Sequence, residues 1–182
     1  MHSYAWSVSE TVSPSPSAKN FCYTCFMYNN EPSAYECPLC MVAQGKETPY
    51  NKRNDVVYEN GKVIAFISPK WWVNNPGNVL VVPKHHVENI YDIPDDLLAE
   101  VQIIGKRIAL AIKETYGCDG VSFRQHNEPG GGQDVWHFHL HVFPRWKDDE
   151  LYQNHNNKRY VEEKYRSPYA EILRNFLARE KS

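Results

Sequence analysis

Apolar and polar positions divide the chain into segments of different period. Val56-Val57-Tyr58, turned by Glu59-Asn60-Gly61, runs into Val63-Ile64-Ala65-Phe66-Ile67, which predicts a strand, a tight turn and a second strand. "NNPGN" is a further turn signal, and Val79-Leu80-Val81-Val82 after it reads as a buried third strand, antiparallel to the others. From Pro94 the period lengthens: Leu97, Val101, Ile104, Ile108, Ala111 and Thr115 recur at three- and four-residue steps, predicting a helix that ends at Gly117 and packs one face on the sheet. Gly120 to Gln125 reads as a strand, Gly130-Gly131-Gly132 as a loop, and Asp134 to Phe143 alternates as one more strand. The tail from Arg159 is helical in character, restarted at Ser167-Pro168. Its stripe of Tyr169, Ile172, Leu173, Phe176 and Leu177 suits a core or subunit contact.

Composition sorts these elements into regions. Residues 1–20 are rich in Ser, Thr and Pro without an apolar period and are expected to form a disordered tail. Residues 21–50 form a Cys-rich segment, 51–150 the globular body and 151–182 a C-terminal helical extension. Twenty basic and 22 acidic residues leave a net charge of -2, which argues against a cationic surface for nucleic acid. No apolar run approaches the roughly 18 residues of a membrane span, and the N-terminus lacks the order of a signal peptide, so a cytoplasmic protein is expected.

Two clusters carry candidate chemistry. Cys22-x-x-Cys25 and Cys37-x-x-Cys40, eleven residues apart, have the spacing of a four-thiolate zinc knuckle, a structural site. In "WHFHLHVF", strand alternation would send His137, His139 and His141 to one side and Phe138, Leu140 and Val142 to the other. Same-face neighbours of one strand lie roughly 7 Å apart, too far for three imidazoles to share one tetrahedral ion easily. A row of imidazoles along an extended substrate fits better, one acting as a nucleophile on phosphorus. The glycines upstream would let backbone N–H groups approach an anion, and Gln133 would add a neutral donor.

"GQDVWHFHLHVFPR" resembles the signature of the histidine triad (HIT) superfamily, His-φ-His-φ-His-φ-φ with φ apolar, and "VIAFISPKWWVNNPGNVLVVPKHHVENIYDIP" resembles that family's strand-turn-strand segment. The resemblance implies an α+β fold: an antiparallel sheet with one long helix and a C-terminal helix, commonly a homodimer, here with a small N-terminal zinc knuckle added. It also implies hydrolysis of dinucleoside polyphosphates or adenylylated substrates, with release of a nucleoside monophosphate. By position, His139 would attack the α-phosphorus, His141 would orient His139, and His137 would assist near the leaving group or phosphate. Gln133 and Asn127 would contact phosphate beside Gly132, and no cofactor would be needed for the chemical step. Retention of His141, where transferase and phosphorylase branches usually carry Gln, favours hydrolysis.

The chain also departs from the pattern. Asp134 replaces a usual Ser or Thr, Asn78 a frequent His, and Ser68 stands near the usual ribose-binding acid or amide, with a longer loop following. A remodelled adenine-nucleotide pocket is therefore expected, with Phe66, Trp71 or Trp72 as stacking candidates, and Arg145 and Lys147 as candidates for the distal phosphates. The resemblance supplies a second zinc set, Cys37, Cys40, His86 and His137. The four-cysteine set is preferred because it uses every paired thiolate and leaves His137 free. A nucleotide-sensing module without turnover, and removal of 5′-adenylates from nucleic acid ends, are the competing functions.

Overall fold

The computed structural model describes residues 28–153 and 157–179. Along the chain run α1 (Pro38–Ala43), β1 (Val56–Glu59), β2 (Val63–Ile67), β3 (Lys70–Trp72), β4 (Val79–Pro83), α2 (Asp95–Thr115), β5 (Gly120–Gln125), β6 (Leu140–Arg145), β7 (Lys158–Tyr160) and α3 (Glu163–Arg179). Five strands form one antiparallel sheet in the order β1-β2-β4-β6-β5, and β3 pairs with β7 in a separate two-stranded sheet. This is the expected α+β architecture.

The two faces of the large sheet carry different partners. Val63, Ala65, Ile67, Val79, Val81, Leu140 and Val142 meet α2 and α3, and the burial of this apolar layer is the main driving force for the fold. α2 contributes Leu97, Val101, Ile104, Ile108, Ala111 and Ile112, three or four residues apart as the stripe predicts. At Gly105 a Cβ would lie 2.8 Å from Leu140 Cδ2, so glycine permits the close seat of α2 on β6. The opposite face is covered by α1, where Leu39 and Val42 pack on Ile64, Phe66, Leu80 and Val82. The described part of the Cys-rich segment is thus docked on the sheet.

Three expectations about element boundaries require correction. The strand predicted over Asp134 to Phe143 starts only at Leu140, because β4 pairs with β6 from Val81↔Leu140 to Val79↔Val142 and no further upstream. Upstream, the Phe138 N–H donates to the Val87 carbonyl and the His137 N–H to the Val135 carbonyl, which turns the chain out of the ladder. The C-terminal helix starts at Glu163 and continues through Pro168, without a cap at Ser167. The ring costs one backbone bond, and the Arg166 side chain holds this end of the helix by pairing with Asp55 at 2.8 and 2.7 Å. Residues 158–160, expected to lead into a helix, are strand β7. No helix among the described residues is long and apolar enough to cross a membrane.

Candidate functional site

Residues 137 to 141 join two centres on the sheet face opposite α2 and α3. The first gathers around His137, whose ring is fully buried. Its Nδ1 lies 3.3 Å from Cys37 Sγ and 3.4 Å from Cys40 Sγ, while Nε2 donates to the Pro83 carbonyl at 2.9 Å. His86 mirrors it, with Nδ1 3.2 Å from Cys40 Sγ and Nε2 3.0 Å from Glu31 Oε2. In both rings the outer nitrogen is tied to an oxygen, which leaves Nδ1 as a lone pair facing the thiols.

The ligand atoms of Cys37, Cys40, His86 and His137 all lie within 4.8 Å of one another. A tetrahedral zinc with two sulfurs and two nitrogens needs ligand separations of roughly 3.3–3.8 Å, so the residues fit that ion. Burial pushes His137 down to about 3, which keeps it a neutral donor. Burial, then the neighbouring Cys37, pushes the Cys40 thiol up to about 12, a crowding that a dication would reverse. This is the second of the two expected sets. Cys22 and Cys25, half of the preferred set, lie outside the described residues. The expected alternation holds, with Phe138, Leu140 and Val142 in the core under α2 and α3 and the three histidines on the other side. The His137 ring, however, is turned to the thiols and does not line the cavity of His139 and His141.

The second centre is a cavity on the same side of the sheet, lined by His126, His139, His141, Asp134, Lys70 and Lys158 together with Leu39, Leu80, Val135, Asn51 and Ser68. His139 Nδ1 donates to the His137 carbonyl at 2.7 Å, so its Nε2 carries the lone pair. Burial lowers the affinity of His139 for a proton; the His137 carbonyl and Asp134 act in the opposite direction. The expected hydrogen bond from His141 to His139 is replaced by this backbone contact. His141 stands with its ring centroid 5.0 Å from that of His139, and its buried Nδ1 has no hydrogen-bond partner among the described residues. Burial, then His139, holds His141 well below the usual histidine range.

Several expected phosphate contacts are committed elsewhere. Gln133 is buried; its Oε1 accepts from the Glu128 N–H at 2.8 Å, and its Nε2 donates to the carbonyls of Glu88 and Val135 at 2.7 and 3.1 Å. It holds a tight turn in which Glu128 has φ 60° and Gly132 φ 82°, and the latter suits glycine. The N–H groups of Gly131 and Gly132 donate within that turn, to Glu128 and Pro129. Asn127 accepts from the Ile90 N–H at 2.8 Å and pairs with Gln125. Phe66 and Trp71 are core residues, whereas Trp72 and Ser68 line the cavity. Arg145 is clamped by Asp149 at 2.6 and 2.7 Å and donates to Ser122.

Sequence reasoning missed His126, Lys70 and Lys158. His126 Nδ1 is bonded to the Gly131 carbonyl at 2.7 Å, and its ring centroid is 6.0 Å from that of His141. The lysines come from the small sheet, and Asp134, noted only as a departure, lies between them at 3.5 and 3.2 Å. The stretch holding Lys70 was expected to be a loop but forms β3, and its partner β7 is distant in sequence.

Residues 50–148 match the HIT domain. An uncharacterized HIT-like protein of Borreliella burgdorferi is 34% identical over 149 residues, 78% of this chain and 99% of the relative. Among solved structures, a zinc-bound histidine triad family protein from Mycobacterium smegmatis superposes with a TM-score of 0.65 at 26% identity, covering 80% of this chain and 96% of that one. A hypothetical histidine triad nucleotide-binding protein from Sulfolobus tokodaii gives 0.66 at 26% identity, over 80% and 94% of the two chains.

Proposed function

The chain belongs to the HIT-domain family, and from that premise we propose that it is a nucleotide hydrolase in which His139 attacks an α-phosphorus. The observation that carries the reading is the 2.7 Å bond from His139 Nδ1 to the His137 carbonyl, which fixes the tautomer and aims the Nε2 lone pair. Attack forms a nucleotidyl-histidine whose positive ring is stabilised by the same carbonyl. Water then opens the phosphorus–nitrogen bond and releases a nucleoside monophosphate. The free Nδ1 of His141 supports a role in hydrogen-bonding the phosphate rather than in orienting His139. The apolar lining of the cavity by Leu39, Leu80 and Val135, with Asn51 and Ser68 as polar partners, suits a nucleoside, adenine being the candidate base.

Cys37, Cys40, His86 and His137 are the residues that would hold a structural zinc. Bound there, the ion supplies charge balance for two thiolates and stiffness for α1, whose first turn carries them. A homodimer is supported by the edge strand β5 and by exposed Ile103, Leu110 and Phe123 on α2 and β5.

Mass spectrometry after rapid acid-free quenching with a dinucleoside tetraphosphate tests the reading. A nucleotidyl adduct on the peptide holding His139, absent from His139→Gly, is expected. Tight nucleotide binding with neither adduct nor monophosphate would overturn it in favour of a sensing module.

A further inference from the structure

Asp134 presents a difficulty for any reaction at phosphorus in this cavity. Its carboxylate is close enough to His139 for each to shift the other's ionisation, and on its own it would repel an incoming phosphate. Two cations flank it instead of one. Lys70 from β3 and Lys158 from β7 both reach Asp134 Oδ2, at 3.5 and 3.2 Å, so the trio is left with a surplus positive charge. These contacts are half-exposed, and pairs of that kind contribute only about 0–1 kcal/mol, so little holds the lysines to the carboxylate.

A third cation stands behind them. Arg124 lies across from His141 in the β5–β6 ladder, over the rings of Trp72, Phe143 and Tyr152, and its Nη1 is buried without a hydrogen-bond partner among the described residues. Lys158 lies 5.8 Å from the centre of the same Trp72 ring. The positive charge therefore converges on the side of the cavity where His141 and Trp72 stand.

We propose that Lys70 and Lys158 form a leaving-group subsite for a phosphate chain, and that Asp134 holds the two lysines in place until that chain displaces it. The inference rests on the hydrolase reading and names its substrate class: a nucleotide whose α-phosphate is linked to further phosphates rather than to an amine. His139 Nε2 gives its lone pair to the α-phosphorus, and the bond to the bridging oxygen breaks with its electron pair going to the departing polyphosphate. The new negative charge falls beside the lysines. An amine leaves as a neutral group with no negative charge for the two lysines to meet, so the pair adds little to its departure. Water then attacks phosphorus, the phosphorus–nitrogen pair returns to Nε2, one of the water's protons stays on the monophosphate and the other passes to solvent.

The test compares two substrates that share an adenylyl group, diadenosine tetraphosphate and adenosine phosphoramidate, in the wild-type protein, Lys70→Gln and Lys158→Gln. The ratio of their kcat/KM values is expected to favour the tetraphosphate in the wild type and to fall about tenfold in each variant, the loss for one charge-assisted hydrogen bond to phosphate. Asp134→Asn is expected to lower KM for the tetraphosphate. An unmoved ratio in both lysine variants, or a wild type that prefers the phosphoramidate, would overturn the subsite, and a raised KM in Asp134→Asn would overturn the part given to that carboxylate. If the wild type cleaves neither substrate and forms no His139 adduct, the hydrolase reading itself fails. Adduct formation from both substrates with an unmoved ratio refutes the leaving-group assignment alone.

Discussion

The backbone carbonyl of His137 accepts the Nδ1–H of His139 at 2.7 Å, while the His137 ring faces Cys37 and Cys40 at 3.3 and 3.4 Å. One residue therefore belongs to both centres: its side chain to the thiol cluster, its peptide to the imidazole in the cavity. Whatever sets the ring of His137 also sets the orientation of His139.

Metal removal is accordingly expected to act on turnover as well as on stability. Chelation, or Cys40→Ser, should lower Tm by several degrees, and, on the proposed mechanism, should in the surviving folded protein reduce kcat more than KM, because His139 would be misaimed while the rest of the cavity persists. Calorimetry and steady-state kinetics on the same samples check both parts. A fall in Tm with kcat intact would show that the two centres are uncoupled.

Gln133 separates a supporting role from a direct one. All three of its bonds stay within the protein, so Gln133→Ala should destabilise by about 1–3 kcal/mol through unpaired buried groups. Gln133→Glu should cost at least as much, since a carboxylate would then face the carbonyls of Glu88 and Val135. Urea unfolding measures this; a raised KM with unchanged stability would return Gln133 to the phosphate.

Arg166 joins the helix α3 to the start of the body. Its guanidinium meets both oxygens of Asp55 and donates to the carbonyls of Tyr50 and Val161, with both side chains almost wholly buried. Arg166→Ala would strand a buried carboxylate and should cost about 3–5 kcal/mol. The double change Arg166→Met with Asp55→Leu should recover part of that loss, which denaturant midpoints of the two variants would reveal.

Asp149 gives the acid limb a defined contributor. Arg145 holds its carboxyl well below the usual range, with backbone N–H groups and Asn75 adding to the effect. A carboxyl depressed in the folded state binds fewer protons than in the unfolded chain, so its contribution is complete above the unfolded value of about 4 and is lost as pH falls toward the folded value. Asp149→Asn should therefore destabilise by about 2–3 kcal/mol at pH 7. The gap from the wild type should shrink between pH 4 and 2 in unfolding curves taken at each pH; a constant gap would contradict the assignment.

The sequence alone determined the elements whose patterns are local. Strands β1, β2 and β4, the long helix with its stripe from Leu97 to Ala111, and strand β5 were legible because side-chain period and turn residues act within a few positions. It also singled out the three histidines and the two Cys-x-x-Cys pairs by residue type and spacing, and the family resemblance then pointed to His139 among them. Only the tertiary structure decided where the other groups went. His137 kept the expected side of the sheet but serves the thiol cluster and not the cavity, because the fold brings Cys37 and Cys40, at the start of the distant helix α1, to its ring. Gln133 looked like a phosphate donor until the fold brought Glu88 to its amide, 45 residues away in the chain. Lys158 and Lys70 met Asp134 only because β3 and β7 pair across almost ninety residues. A short-range pattern carries the backbone's own preferences, whereas the partner of a polar side chain is chosen by which distant segments pack beside it, and that information is absent from any single stretch.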